Sequence, residues 1–282
     1  KPFPDVTKLS EDELFGLLVA PSQQQNLHAQ FEFLRRGPSP QHTAKLMELA
    51  QDKGTPLAGR VAAIFTLKQL NGNKAQDDLL KLADNSEVAE FALRALTDRK
   101  SELKGLKKGV FVAALDSKNP RLRAQALVSL GRLGEPSAAT AILSHAAAPK
   151  LEKQPAHNEA NPAAVLSHLA TRALVALKPI NTLLDALDGT HGTTALSVLK
   201  YMHDDQVVTA LSARAAKNPD LATLNTLGRL YYREGEYTQG WWGTRPDTSG
   251  PYFAREKWSE SDKIEAGLKT ALAKASKSTV AA

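Results

Sequence analysis

The stretch RAQALVSLGRLG at residues 123–134 decides the fold, because its apolar residues recur at the spacing of an α-helix. A second stretch, RVAAIFTLKQL at residues 60–70, aligns with it residue by residue, with Arg60 on Arg123. Apolar side chains at i, i+3, i+4 and i+7 form one stripe along a helix, and small alanines allow neighbouring helices to pack closely. The recurrence of this pattern predicts a helical repeat.

One anchor leucine can be assigned to each repeat unit. The mean step between successive anchors is about 32 residues, which is the size of a short two-helix unit. The pattern therefore predicts an all-α chain of about seven helix pairs. The anchors are Leu34, Leu67, Leu96, Leu130, Leu177, Leu199 and Leu227.

Four dipeptides mark the predicted starts of second helices. Asn or Thr can cap the free N–H groups of a helix, and Pro fits the first turn because its missing N–H is not needed there. We therefore expect a side-chain cap and a helix start at each of these places. The dipeptides are Thr55-Pro56, Asn119-Pro120, Asn161-Pro162 and Asn218-Pro219.

The repeat resembles HEAT repeats, specifically the short bacterial kind. The pattern Arg-x-x-Ala-hydrophobic-x-x-Leu-x-x-Leu-Gly carries the resemblance and is closest at 123–134. The resemblance implies a curved α-solenoid over residues 1–233. It implies little about function, because HEAT solenoids serve many purposes.

An aromatic segment, WWGTRPDTSGPY at residues 241–252, interrupts the helical pattern. The glycines and prolines of 231–253 are incompatible with a regular helix, and a final helix from about Glu260 to Ala273 is predicted after them. One interpretation is that 234–282 cap the open end of the solenoid. The other is a site for sugars, acidic glycans or a partner peptide. Its candidate residues are Trp241, Trp242, Arg245, Asp247, Tyr252 and Trp258.

The same segment is similar to a block that closes the HEAT-repeat region of large exported proteins of planctomycetes and verrucomicrobia. Those proteins are described as membrane-bound dehydrogenase-like or haem-binding, with propeller-like and c-type cytochrome domains elsewhere. The resemblance implies a module of a periplasmic or cell-surface protein. A cytoplasmic location stays open. Any redox activity would belong to other domains, because this sequence has no Cys-x-x-Cys-His motif.

Catalytic and cofactor signals are missing from the sequence. Without cysteine there can be no disulfide, thiolate zinc site, covalent haem attachment or cysteine nucleophile. No zinc-protease, phosphate-loop or Gly-x-Ser-x-Gly motif occurs, and no two histidines have helical ligand spacing. We therefore expect no catalytic residues, no metal site and no cofactor.

The positive charge is concentrated in one window, residues 99–123, whose net charge equals the +6 of the whole chain. Such a window either forms solvated helix faces and turns or contacts a phosphate backbone. Its basic residues are Arg99, Lys100, Lys104, Lys107, Lys108, Lys118, Arg121 and Arg123.

These observations favour a non-enzymatic scaffold or interaction module that binds a protein or another domain of its parent chain. The alternatives are nucleic-acid binding by a HEAT-like protein through 99–123 and carbohydrate binding through the aromatic residues of 241–258. No run of about 18 apolar residues occurs, so no membrane insertion is expected. The oligomeric state stays open.

Overall fold

A computed structural model describes residues 4–149, 161–235 and 255–275, and almost all of their regular structure is α-helical. The predicted all-α fold class is confirmed at this level. The chain divides into two compact units, Lys1–Ala138 and Ala139–Ala282. The boundary between 233 and 234 stays a prediction. Within the described ranges, no helix combines the length and apolarity needed to cross a membrane.

The first unit is built from helix pairs. Each even-numbered helix packs against the odd-numbered helix before it, and α2, α4, α6 and α8 also contact one another in that order. The helices are α1 (Glu11–Leu18), α2 (Gln23–Arg36), α3 (Pro40–Gln51), α4 (Leu57–Asn71), α5 (Gln76–Ala83), α6 (Ala89–Thr97), α7 (Gly109–Ala114) and α8 (Pro120–Leu133).

The anchor leucines of this unit lie on the even-numbered helices. Leu67, Leu96 and Leu130 are fully buried, on α4, α6 and α8. On α2 the neighbouring Phe33 is fully buried and Leu34 is only half-buried. The Phe33 ring lies 4.5 Å from the ring of Phe15, so an aromatic contact takes the place that leucine has in the later pairs.

Helices begin within two residues of all four predicted starts, but two of the four predicted side-chain caps are wrong. Asn119 caps α8 through the backbone N–H of Arg121, and Asn161 caps its helix in the same way. The Thr55 hydroxyl instead donates to Asp52, which leaves α4 without a side-chain cap. Asn218 ends the preceding helix, and Asp220 accepts the capping bond two residues later.

Buried charges in the first unit are paired. The Glu32 carboxylate accepts hydrogen bonds from Arg35 and Arg36, which lower its pKa from 4.5 to about 2. The buried Lys68 ammonium lies 2.7 Å from Glu102 and lowers the pKa of that carboxyl. A buried charge is tolerated only with such a partner.

The second unit repeats the pairing of odd- and even-numbered helices. Leu177, Leu199 and Leu227 are buried on α10, α12 and α14, which contact one another in that order. The helices are α9 (Ala139–Leu143), α10 (Pro162–Leu177), α11 (Ile180–Asp185), α12 (Gly192–Leu199), α13 (Asp205–Lys217), α14 (Leu221–Leu230) and α15 (Ser261–Lys274). The last of these is the predicted final helix, and it packs on α13 and α14.

A short β-ribbon precedes α15 and was not predicted from the sequence. Strands β1 (Tyr232–Glu234) and β2 (Arg255–Lys257) pair antiparallel, with Tyr232 opposite Lys257. Arg233 and Glu256 stand opposite each other and form an exposed ion pair. The ribbon brings the chain back towards the end of α14, where α15 begins to pack.

The close approach of α4 to the end of α1 gives a stability test. A Cβ added at Gly59 would lie 2.8 Å from the Cβ and 3.0 Å from the Cα of Val19, which is too close without a backbone shift. We expect Gly59→Ala to lower the free energy of unfolding by about 1–3 kcal/mol, as overpacking does. Urea unfolding followed by circular dichroism measures the change.

Gly16→Ala is the matched control, because a Cβ at Gly16 in α1 meets nothing within 4 Å. Alanine there should raise stability by about 0.5–1 kcal/mol, through helix propensity alone. Equal effects of the two substitutions would contradict the described packing of α4 against Val19.

Candidate functional site

An open groove of about 630 Å³ lies in the first unit, where the N-terminal turns of α4, α6 and α8 meet. Three stretches of chain line it, and each contains the start of an even-numbered helix. They contribute residues 53–57 with Arg60, then Ser86, Glu87, Glu90 and Phe91, and finally Asn119 and Arg121. The packing of the even-numbered helices side by side therefore creates this site.

Arg60 lies at the base of the groove with only 4% of its surface exposed. Its Nε donates to the carbonyl of Ala50 at 3.0 Å, and its Nη1 donates to Glu87 at 2.6 Å. Its Nη2 has no hydrogen-bond partner within the described residues. The bond from Arg60 holds the pKa of Glu87 below its usual value, so Glu87 stays ionised at neutral pH.

The groove carries more positive than negative side-chain charge. Lys53 lies 4.0 Å from Glu87, and Arg121 makes a two-pronged contact with Glu90 at 2.6–3.0 Å. With Arg60, the lining holds three cationic side chains against two carboxylates. The lining alone therefore has one positive charge in excess, and the Asp52 carboxylate beside it, which is bonded to Gly54 and Thr55, offsets part of that charge near Arg60.

The helix ends add to this positive potential. Among the described residues, neither α4 nor α6 has a side-chain hydrogen bond at its N-terminal cap, whereas α8 is capped by Asn119. The first N–H groups of a helix lack intrahelical acceptors and carry a partial positive charge. Anions are stabilised at such a helix end.

Apolar surface lies beside these charges. Leu57, at the start of α4, is 50% exposed, and Phe91 on α6 is half-buried in the groove lining. Further along the same two helices, the Arg94 guanidinium lies 5.8 Å above the ring of Phe65. The arrangement can bind a ligand that carries both negative charge and an apolar group.

The basic window of 99–123 is spread over several elements of the first unit. Arg99 pairs with Glu102, and Lys108 donates to the hydroxyl of Ser137. Lys100, Lys104 and Lys107 are exposed on the connection between α6 and α7, and Lys118 is exposed just before α8. Arg123 is half-buried within α8. Arg121 alone of the eight lines the groove, and nucleic-acid binding by the window stays a prediction.

The aromatic candidate site is only partly within the described residues. Trp241, Trp242, Arg245, Asp247 and Tyr252 lie outside them.

Trp258 is half-buried between β2 and α15, and its indole N–H donates to the carbonyl of Leu230 at the end of α14. Its ring meets the His203 ring edge-on at 5.4 Å. The indole N–H of Trp258 is therefore bonded within the protein.

Sequence reasoning missed the groove because its residues come from segments far apart in the chain. Lys53, Glu87 and Phe91 belong to no recognisable motif. The available signal was the pair Thr55-Pro56 and Asn119-Pro120, which mark equivalent helix starts and so point to one edge of the helix array.

Comparisons with known proteins add no assignment to this site. A scan against protein-family models found no match, and a search of curated proteins found none either. Within the described residues, no group of three or more His, Cys, Asp or Glu side chains could hold a metal ion.

Arg60 and Lys53 should differ sharply in their contribution to stability. Arg60→Met removes the bond to the Ala50 carbonyl inside the protein, so we expect a loss of about 1–3 kcal/mol in unfolding free energy. Lys53 is 78% exposed, and Lys53→Met should change stability by less than about 0.5 kcal/mol. Urea unfolding of both variants measures this difference. If Arg60→Met left the free energy of unfolding unchanged, Arg60 would not stabilise the base of the groove.

Proposed function

We propose that the chain is a non-enzymatic interaction module of the HEAT-like solenoid type. It binds a protein partner, or another domain of its parent chain, through the exposed side of the even-numbered helices in the first unit. The observation that carries the proposal is the exposure of large apolar side chains on α2 and α4. Phe31 is 63% exposed and Leu57 is 50% exposed, although both helices bury their other sides in the core.

The contacts among the even-numbered helices support this function. Phe31 and the exposed Leu27 are four residues apart on α2, so they lie on one stripe. α2 contacts α4, and Leu57 of α4 lines the groove. Exposed apolar side chains on one helix stripe, such as Leu27 and Phe31, are typical of a protein interface.

A paired set of variants tests the interaction. The immobilised full chain is exposed to an extract of the source cells, and retained proteins are quantified by mass spectrometry. We expect Phe31→Ser/Leu57→Ser to reduce retention of specific partners by about tenfold or more, because exposed apolar anchors dominate interface energy. Val165→Ser is the control, since Val165 is 53% exposed on α10 in the other unit. Partners lost equally from both variants, or from neither, would refute the assignment to this surface.

We also propose that this module belongs to a larger exported protein, located in the periplasm or at the cell surface. The support is the similarity of residues 241–252 to the block that closes HEAT regions in such proteins. Redox chemistry would then lie in other domains of the parent. The complete reading frame is the test. A signal peptide upstream and a Cys-x-x-Cys-His motif downstream are the expected result. A frame that ends near Ala282 without a signal would contradict it.

A further inference from the structure

We propose that the groove at the N-terminal ends of α4, α6 and α8 binds an acidic peptide segment that also carries an apolar side chain. This inference rests on the proposed interaction function and names the chemistry of the partner. We call the site the cationic groove and define it by Lys53, Leu57, Arg60, Phe91 and Arg121.

The charged side chains of the lining favour a ligand that carries a carboxylate. Arg60 is held in place by the Ala50 carbonyl and by Glu87, and Lys53 approaches the same carboxylate. Glu87 is therefore shared between two cations, and the Nη2 of Arg60 has no partner in the described structure. The Nη2 of Arg60 is buried, so a ligand carboxylate would bind at Lys53, whose side chain is 78% exposed.

The direction of the helices also favours a negatively charged ligand. α4 begins at the groove without a side-chain cap in the described residues, whereas the first N–H of α6, from Ala89, already donates to the Asn85 carbonyl. A carboxylate placed at the start of α4 gains from the partial positive charge of the helix end as well as from the cationic side chains. Both effects select the same sign of ligand charge.

The lining of the groove favours a peptide over a nucleic acid. Glu87 is 47% exposed in the lining and stays ionised, so it repels a ligand with a phosphate at every residue. Among the described residues, Phe91 is the single aromatic side chain of the groove lining, which is too little for stacked bases. A peptide can place one or two carboxylates on the cations and an apolar side chain between Leu57 and Phe91.

A peptide selection tests the inference directly. Random peptides displayed on phage are panned against the immobilised full chain, and the enriched sequences are synthesised with a fluorescent label. We expect enrichment of peptides with two or more Asp or Glu beside an apolar residue. Fluorescence anisotropy then gives the Kd of each labelled peptide for the intact chain and its variants. Affinity should fall with added NaCl, because the contacts lie in a solvent-open groove.

The key variant is Lys53→Glu/Arg121→Gln, which changes the charge of the groove and leaves Arg60 intact. We expect it to weaken binding of the selected acidic peptides by about tenfold or more.

The matched control is Lys81→Glu/Arg99→Gln. Lys81 is exposed, and Arg99 is an exposed arginine paired with a largely buried glutamate, as Arg121 is. The net charge changes by the same amount, so this control should leave Kd within about twofold if local contacts decide binding. Circular dichroism of both variants confirms that each is folded.

The outcomes separate the inference from the function on which it rests. Enriched peptides without acidic residues, or equal weakening by the two double variants, would overturn the acidic-peptide site. If protein partners still depended on Phe31 and Leu57, the interaction function would stand without it. If neither peptide binding depended on the groove nor partner retention depended on Phe31 and Leu57, the proposed function would be refuted as well.

Discussion

Burial of one apolar stripe on every even-numbered helix is the constraint on which the rest of the first unit depends. Leu67, Leu96 and Leu130 are fully buried, and each such side chain stabilises the fold by about 1.5–3 kcal/mol. Each of these helices lies against both its odd-numbered partner and a neighbouring even-numbered helix, which together cover the stripe. The N-terminal turns of α4, α6 and α8 then open on one groove, so the site follows from the packing.

Arg60 links this packing to the chemistry of the groove. It ties the Ala50 carbonyl near the end of α3 to Glu87 just before α6, which joins neighbouring helix pairs across the edge. Arg123 occupies the aligned position in α8, but its Nε lacks a partner in the described residues. At α8 the ion pair of the groove is instead made two residues earlier, by Arg121 with Glu90, so the aligned arginines do not make the same contacts.

The sequence predicted the parts of the fold that depend on periodicity. The buried anchors on six of the seven predicted helices could be read from leucine spacing, because burial on a helix depends on local order along the chain. Thr55 does not cap α4 because its hydroxyl donates to the Asp52 carboxylate. Asn218 does not cap α14 because it forms the C-terminal end of α13. The β-ribbon and the groove were missed because they depend on contacts between distant segments, which no local pattern encodes.

Concentration of charge along a sequence and concentration of charge in space differ in this protein. The window 99–123 holds eight basic residues, yet Arg121 alone reaches the groove, where Lys53 and Arg60 come from an unremarkable part of the chain. Glu87 and Glu90 lie beside these cations and lower the net charge that a distant polyanion would experience. Close contacts with an oriented carboxylate depend much less on that net value, because they act within a few ångströms. A groove with cations and carboxylates side by side therefore favours a ligand whose carboxylate fits between them over a ligand that is attracted only by net charge.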